Sequence, residues 1–172
     1  MKWFLLRVRP SIAGAIGAAF LFAAVLSTGS VALGQDQSAT PTKDVIFARK
    51  VLMSTVGENM DDLDIMVETD KIDVAHGAMH ADTISVLLLA FPHLFPPASN
   101  EWKAGADKDP ASDTFAAPEI WTRFADFYKR SADAAKSAFD ASRAQTPAEF
   151  KKYAIELRAG CDGCHALYQK KD

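Results

Sequence analysis

Apolar residues recur along most of this chain at intervals of three and four, the spacing that lines one face of a helix. Val45, Leu52, Val56, Leu63 and Val67 keep that spacing with Ile46, Met53 and Met60 beside them, while Asp61, Asp62, Asp64 and Glu68 fall on other faces. The pattern predicts a first helix over residues 43–69, starting at Pro41 or Thr42 with Asp44 at the positive end of its dipole. Ile72, Ala75, Met79, Ile84, Leu87, Leu88 and Phe91 predict a second over 71–91, stopped by Pro92. The apolar run Val86 to Ala90 reads as a buried helix end. A third helix is expected over 118–143, opened by Pro118 and Glu119, with a stripe of Ile120, Phe124, Phe127, Ala134 or Ala135, and Phe139, widened by Trp121 and Tyr128. The fourth spans 147–169, where Thr146 caps, Pro147 takes the first position, and Phe150, Tyr153, Ala154, Leu157, Cys161 and Cys164 hold the register.

Four long helices joined largely by short turns predict an all-α, antiparallel four-helix bundle over residues 43–172. The exception is residues 91–118, which hold five of the eight prolines and read as a loop. Phe95, Trp102 and Phe115 suggest that this loop folds back over the core.

The amino end follows a different pattern. Lys2, Arg7 and Arg9 precede an apolar run from Ile12 to Leu26, and small residues follow. This predicts a secretory signal peptide over 1–34, cut ahead of Gln35 or after Ala32, then a flexible segment over 35–42. An uncleaved anchor is the alternative, but Gly14 and Gly17 interrupt a run short of the ~20 apolar residues a span needs. No membrane span is therefore expected after cleavage. Without the three leader cations the 19 basic residues fall to 16 against 22 acidic ones, a net charge of about −6. That balance excludes an electrostatic case for nucleic acid. No phosphate-cradling glycine loop, nucleophile elbow or acid/base pair points to an enzyme.

The chemistry is concentrated in Cys161-Asp162-Gly163-Cys164-His165. Two thiols three apart share one side of a helical turn and can add to the two vinyl groups of a haem, while the next residue offers imidazole to its iron. Cys-x-x-Cys also occurs in thioredoxin-like centres, but no strand leads into this one. A zinc site would need two more ligands, which His76 and His80 could supply at i and i+4. The histidine directly after the second cysteine is required by haem alone. His76, His80 and His93 otherwise read as surface or capping residues. Covalent attachment at this motif is expected outside the cytoplasm, which agrees with the leader and implies a periplasmic protein.

With its haem motif at the carboxyl end, Ala48-Arg49-Lys50-Val51-Leu52-Met53 on the first helix and Pro-Glu-Ile-Trp opening the third, the chain resembles the class II cytochromes c, the cytochrome c prime family. The resemblance runs from about Lys43 to Lys171. It implies one covalently attached haem c per chain, bound through Cys161 and Cys164, with His165 as an iron ligand and Arg49 near a haem propionate. The residue four after that arginine faces the other side of the iron. An aromatic or aliphatic residue there leaves five-coordinate iron, open to nitric oxide or carbon monoxide; methionine there gives a six-coordinate electron carrier. Here it is Met53, which implies the low-spin, methionine-ligated branch. Gln169 departs from the basic residue that many five-coordinate members have four after the motif histidine.

Bundle geometry is compatible with the ligand pair. Antiparallel first and fourth helices bring residue 53, about 15 Å along its helix, toward the motif end, while Met60 lies ~10 Å further on. Met60 and Met66 read as core or surface residues, and Met53 read without the family is equally a gap filler. The expected partners are redox proteins, toward which Arg158, Lys170 and Lys171 could steer, and the resemblance implies a possible homodimer through the first two helices.

Overall fold

A computed structural model describes residues 41–105 and 113–170. The expected leader, the flexible segment up to residue 40, and Lys171 lie outside the described residues. The first helix, α1 (Thr42–Thr69), starts after Pro41 with Asp44 in its first turn. It closes on Asp70, which takes a left-handed conformation (φ 56°) so that its N–H and that of Lys71 reach back to carbonyls of the last turn. Lys71 and Ile72 belong to this turn, so α2 (Val74–Ala90) begins later than its apolar pattern predicts. The Asp73 side chain caps it, accepting from the His76 N–H at 3.0 Å.

The described residues of the 91–118 loop, 91–105 and 113–118, fold back as expected. Short 3-10 turns at Phe91–Leu94 and Pro97–Ser99 place Phe95 in the core at 6% exposure, whereas Phe115 stays partly open. The third helix is not continuous: α3 (Glu119–Thr122) and α4 (Phe124–Ser142) are separated at Arg123, whose φ of −127° leaves the helical range. Long-range ties explain the break. The Ala117 N–H donates to the Tyr168 carbonyl at 2.9 Å, the Lys170 N–H donates to the Phe115 carbonyl at 2.7 Å, and the Trp121 indole N–H is shared by the carbonyls of Phe95 and Pro96. These bonds hold α3 to the end of the fourth long helix, α5 (Pro147–Tyr168), and Arg123 absorbs the mismatch with α4. α5 opens with a reciprocal cap: Thr146 accepts from the Glu149 N–H, and the Glu149 carboxylate accepts from the Gln145 N–H.

The four long helices form the predicted bundle, with α2 and α4 flanked by α1 and α5. Ala134, Ala135, Ala138 and Ala141 line the buried face of α4, so its neighbours can approach closely. Ser131 buries its hydroxyl there by donating to the Leu88 carbonyl at 2.6 Å. Gly77 serves the same end on α2, where a Cβ would stand 2.3 Å from the ring of fully buried Phe150. By contrast α1 and α5 touch little.

Several apolar positions point outward. Met79, Val86 and Leu89 on α2 are exposed, so the end of that helix is not buried all round, and Phe124, Tyr128 and Phe139 on α4 flank the core rather than fill it. Small residues take most of the inner positions on both helices, with Ile84, Leu88 and Phe127 as the large ones among them. The segment Val74–Leu94 is long and apolar enough to cross a bilayer by composition, yet it packs against α1 and α4 as a bundle helix.

Candidate haem site

Where α1 and α5 separate, a cavity of about 370 Å³ opens between them, within the range of cofactor pockets. Arg49 and Met53 line it from α1, and Cys161, Cys164 and His165 from α5. All five residues singled out in the sequence therefore meet at one cavity, although more than a hundred positions separate the two groups. Val56, Met60, Leu88, Phe91, Ile120 and Phe127 supply apolar wall. Met60 and Met66 are both buried core residues, and Met60 also borders the cavity.

The two cysteines bridge the two halves of the core. Cys161 packs against the cluster built from Val56, Leu63, Ile84 and Leu157, and Cys164 against Phe95, Ile120, Phe127 and Tyr168. Both thiols are free and half-buried, and burial pushes both above the ordinary thiol pKa. A redox thiol needs the opposite shift, and among the described residues no strand precedes the motif, so a thioredoxin-like centre does not fit. Nor does a zinc site shared with His76 and His80, since neither borders the cavity. Those two histidines meet Asn59 and Asp62 of α1 instead.

His165, in the last turn of α5, borders the cavity with its residue surface largely open. Loss of water around the ring lowers its pKa, with Asp162 opposing and Arg158 adding to the shift. The lowered value favours the neutral imidazole that a metal requires.

Arg49 is the most constrained polar residue at the site. At 4% exposure its guanidinium donates to the Ser99 hydroxyl (3.0 Å), the Ser99 carbonyl (3.1 Å) and the Thr114 hydroxyl (2.6 Å), and it lies 4.8 Å from the centre of the Phe95 ring. Burial lowers its pKa to about 10, only partly offset by Glu101. Among the described residues no carboxylate forms an ion pair with it. A buried cation without a paired anion, beside an apolar cavity with two thiols and an imidazole on its wall, suits a flat apolar group bearing carboxylates. Haem has that chemistry.

The partners of the polar residues around the site are not readable from the sequence. Ser99 and Thr114 lie 50 and 65 positions from Arg49. Tyr168 donates its hydroxyl to Asp126 at 2.6 Å, Arg130 donates to the same carboxylate at 2.8 Å, and Arg130 borders the cavity. Arg158 also borders the cavity and is held by both oxygens of Asp64. Lys170 is bound to Glu119 at 3.1 Å and lies over the Trp102 ring. Neither Arg158 nor Lys170 is thus a free docking charge, because each is already paired within the bundle.

The chain is similar to known proteins over most of its length. A cytochrome c′ of Pararhodospirillum photometricum is 31% identical over 136 residues, 77% of this chain and 100% of that one. A cytochrome c-556 of Agrobacterium fabrum is 29% identical over 160 residues, 91% of this chain and 94% of that one. The solved cytochrome c′ of Rhodopseudomonas palustris matches with a TM-score of 0.65 at 27% identity, over 75% of this chain and 98% of its own. The model of the family described as Cytochrome C′ matches residues 44–169, and the chain belongs to that family.

Proposed function

We propose that this protein is an exported one-electron carrier in which Cys161 and Cys164 hold the haem by thioether bonds and His165 and Met53 are the two axial ligands of its iron. The family is one of haem c proteins that transfer electrons or bind gases, with the haem covalently attached. The observation that favours electron transfer is the methionine at position 53, bordering the same cavity as His165 one turn after Arg49. Haem bound there would supply the iron redox couple, whose potential ligation by the Met53 thioether together with the His165 imidazole would raise. The chain does the rest. Phe91, Phe95, Ile120 and Phe127 exclude water, and Ser99 and Thr114 hold the Arg49 guanidinium where it can face a propionate. Met53 brings a sulfur without a proton, so ligation there adds no titration. A gas-binding protein is the rival reading, and it requires the Met53 position to leave iron open.

Spectra of the oxidised and reduced protein separate the two. A low-spin, six-coordinate spectrum in both states is expected, with M53A becoming high-spin and taking up carbon monoxide. High-spin ferric wild type, or an M53A spectrum identical to wild type, would refute the ligand pair. Export rests on the leader expected over 1–34 together with attachment chemistry suited to the periplasm. The partners are redox proteins. Pairing of two copies through α1 and α2 is supported by exposed apolar residues on both helices: Phe47, Val51 and Ile65 on α1, and Met79, Val86 and Leu89 on α2.

A further inference from the structure

The geometry points to a second metal site on the α1/α2 face: His76 and His80 form a two-imidazole chelate for a divalent transition-metal ion, Cu(II) in first preference. The two residues are i and i+4 on α2, and their Nε2 atoms face each other at 3.2 Å with ring centres 4.8 Å apart. At a metal–nitrogen distance of about 2.0–2.1 Å, two cis nitrogens lie about 2.9 Å apart in square-planar geometry and about 3.3–3.4 Å apart in tetrahedral geometry. The observed separation falls between these limits, so no helix movement is needed for both nitrogens to reach one ion.

The second observation is that α1 orients the inner imidazole. Asn59 donates its amide N–H to the Thr55 carbonyl at 2.8 Å, which turns its Oδ1 toward His80 Nδ1 at 2.9 Å. Asp62 Oδ2 stands 3.5 Å from the same nitrogen. An acceptor and a carboxylate there put the His80 proton on Nδ1 and leave the Nε2 lone pair facing His76. This is the outer-shell arrangement that fixes tautomer and ring direction in metal-binding histidines. His80 is half-buried against α1, whereas His76 is exposed. In the metal-free chain the His76 Nε2–H donates to His80. Metal binding displaces the Nε2 proton of His76, and a proton taken up at its solvent-open Nδ1 balances that loss. Water fills the remaining positions. With two nitrogen ligands and no thiolate, affinity follows the usual order in which Cu(II) exceeds Ni(II) and Zn(II), and Mg(II) and Ca(II) do not compete. The site goes beyond the proposed electron-transfer role, since neither histidine borders the haem cavity.

The test uses the haem-loaded protein titrated with CuSO4 by calorimetry, with electron paramagnetic resonance of the bound Cu(II). One equivalent should bind with nitrogen hyperfine structure, and H76Q or H80Q should weaken that binding by about 100-fold or more. Asn59→Leu, which leaves both imidazoles in place, should weaken it about 10-fold, and His93→Ala should not change it. An unchanged haem spectrum establishes that each variant is folded. Equal affinity in wild type and an H76Q/H80Q double variant would assign the copper to other groups and overturn the proposal.

Discussion

Replacing Arg49 with methionine keeps an apolar stem and removes every donor. Three hydrogen bonds go with it, to the Ser99 hydroxyl and carbonyl and the Thr114 hydroxyl. Bonds from a charged donor contribute about 1.5–3 kcal/mol each, roughly 4.5–9 together. Burial of the cation opposes them: a pKa lowered from 12.5 to about 10 corresponds to about 3.4 kcal/mol. Two of the acceptors also keep other partners, because the Ser99 hydroxyl still donates to Pro96 and the Thr114 hydroxyl still accepts from the Ala116 N–H. Arginine should therefore win by the lower part of the difference, about 1–3 kcal/mol. With a urea slope of about 1–3 kcal/mol/M, the unfolding midpoint of R49M should fall by roughly 1 M. Far-UV circular dichroism of the haem-loaded protein in urea measures this. Hydrogen exchange should rise first at the amides of Ala116, Ala117 and Lys170, since Thr114 ties that segment to Arg49 and the segment bridges to α5. A midpoint equal to or above wild type would mean that the burial cost exceeds the bonds, and the account of Arg49 as the tie between α1 and the 95–117 segment would fail.

Other perturbations probe different parts of the fold. The Tyr168 hydroxyl, followed by Arg130, holds the Asp126 carboxyl below its usual pKa, so its contribution is present above the ordinary carboxylate range and is lost as pH falls through the lowered value. Burial and the same bond push the Tyr168 phenol above 10, so its contribution is present below pH 10 and is lost as pH rises through the raised value. Tyr168→Phe should flatten both limbs of a melting-temperature profile, and a profile parallel to wild type would contradict this. Gly77→Ala gains about 1 kcal/mol of helix propensity but drives a methyl group into Phe150, at about 1–3 kcal/mol, so the melting temperature should drop by a few degrees and recover in part when Phe150→Leu is added. If α1 and α2 form a dimer face, Ile65→Lys should give monomers in sedimentation velocity with an unchanged haem spectrum.

Which features were legible in the sequence follows from the range of the interactions that make them. Helix starts and stops are local: Thr146, Pro147 and Glu149 build a cap within five residues, and it stands as read. The motif cysteines are equally local, because two bonds to one flat group demand i and i+3 on a turn. The break at Arg123 is not local. Nothing around residue 123 announces it, because its causes are bonds to Phe95, Pro96 and Tyr168. The apolar stripes of α2 and α4 mislead for a related reason. Large residues dominate a sequence pattern, yet close helix packing selects Gly77, Ala81, Ala134 and Ala138 for the inner face and leaves Met79, Phe124 and Phe139 outside. His80 has no acidic partner beside it in sequence because Asn59 and Asp62 come from the neighbouring helix.

The same contrast in side-chain size accounts for the cavity. Alanine on the inner face of α4 draws α2 and α5 close, and the α1/α2 turn is fixed at its far end by Asp70 binding Lys151 of α5 at 2.5 Å. At that end α1 and α5 are held together. At the other, Arg49 commits the start of α1 to Ser99 and Thr114 instead of to α5, and residues 114–117 bridge to the last residues of α5. The segment thereby acts as a spacer: it ties both helices to itself rather than to each other, and the opening between them is bordered by Met53 on one side and His165 on the other. Arg49 thus ties α1 to the spacer at the point where it borders the opening, which is also where its proposed role toward a propionate falls.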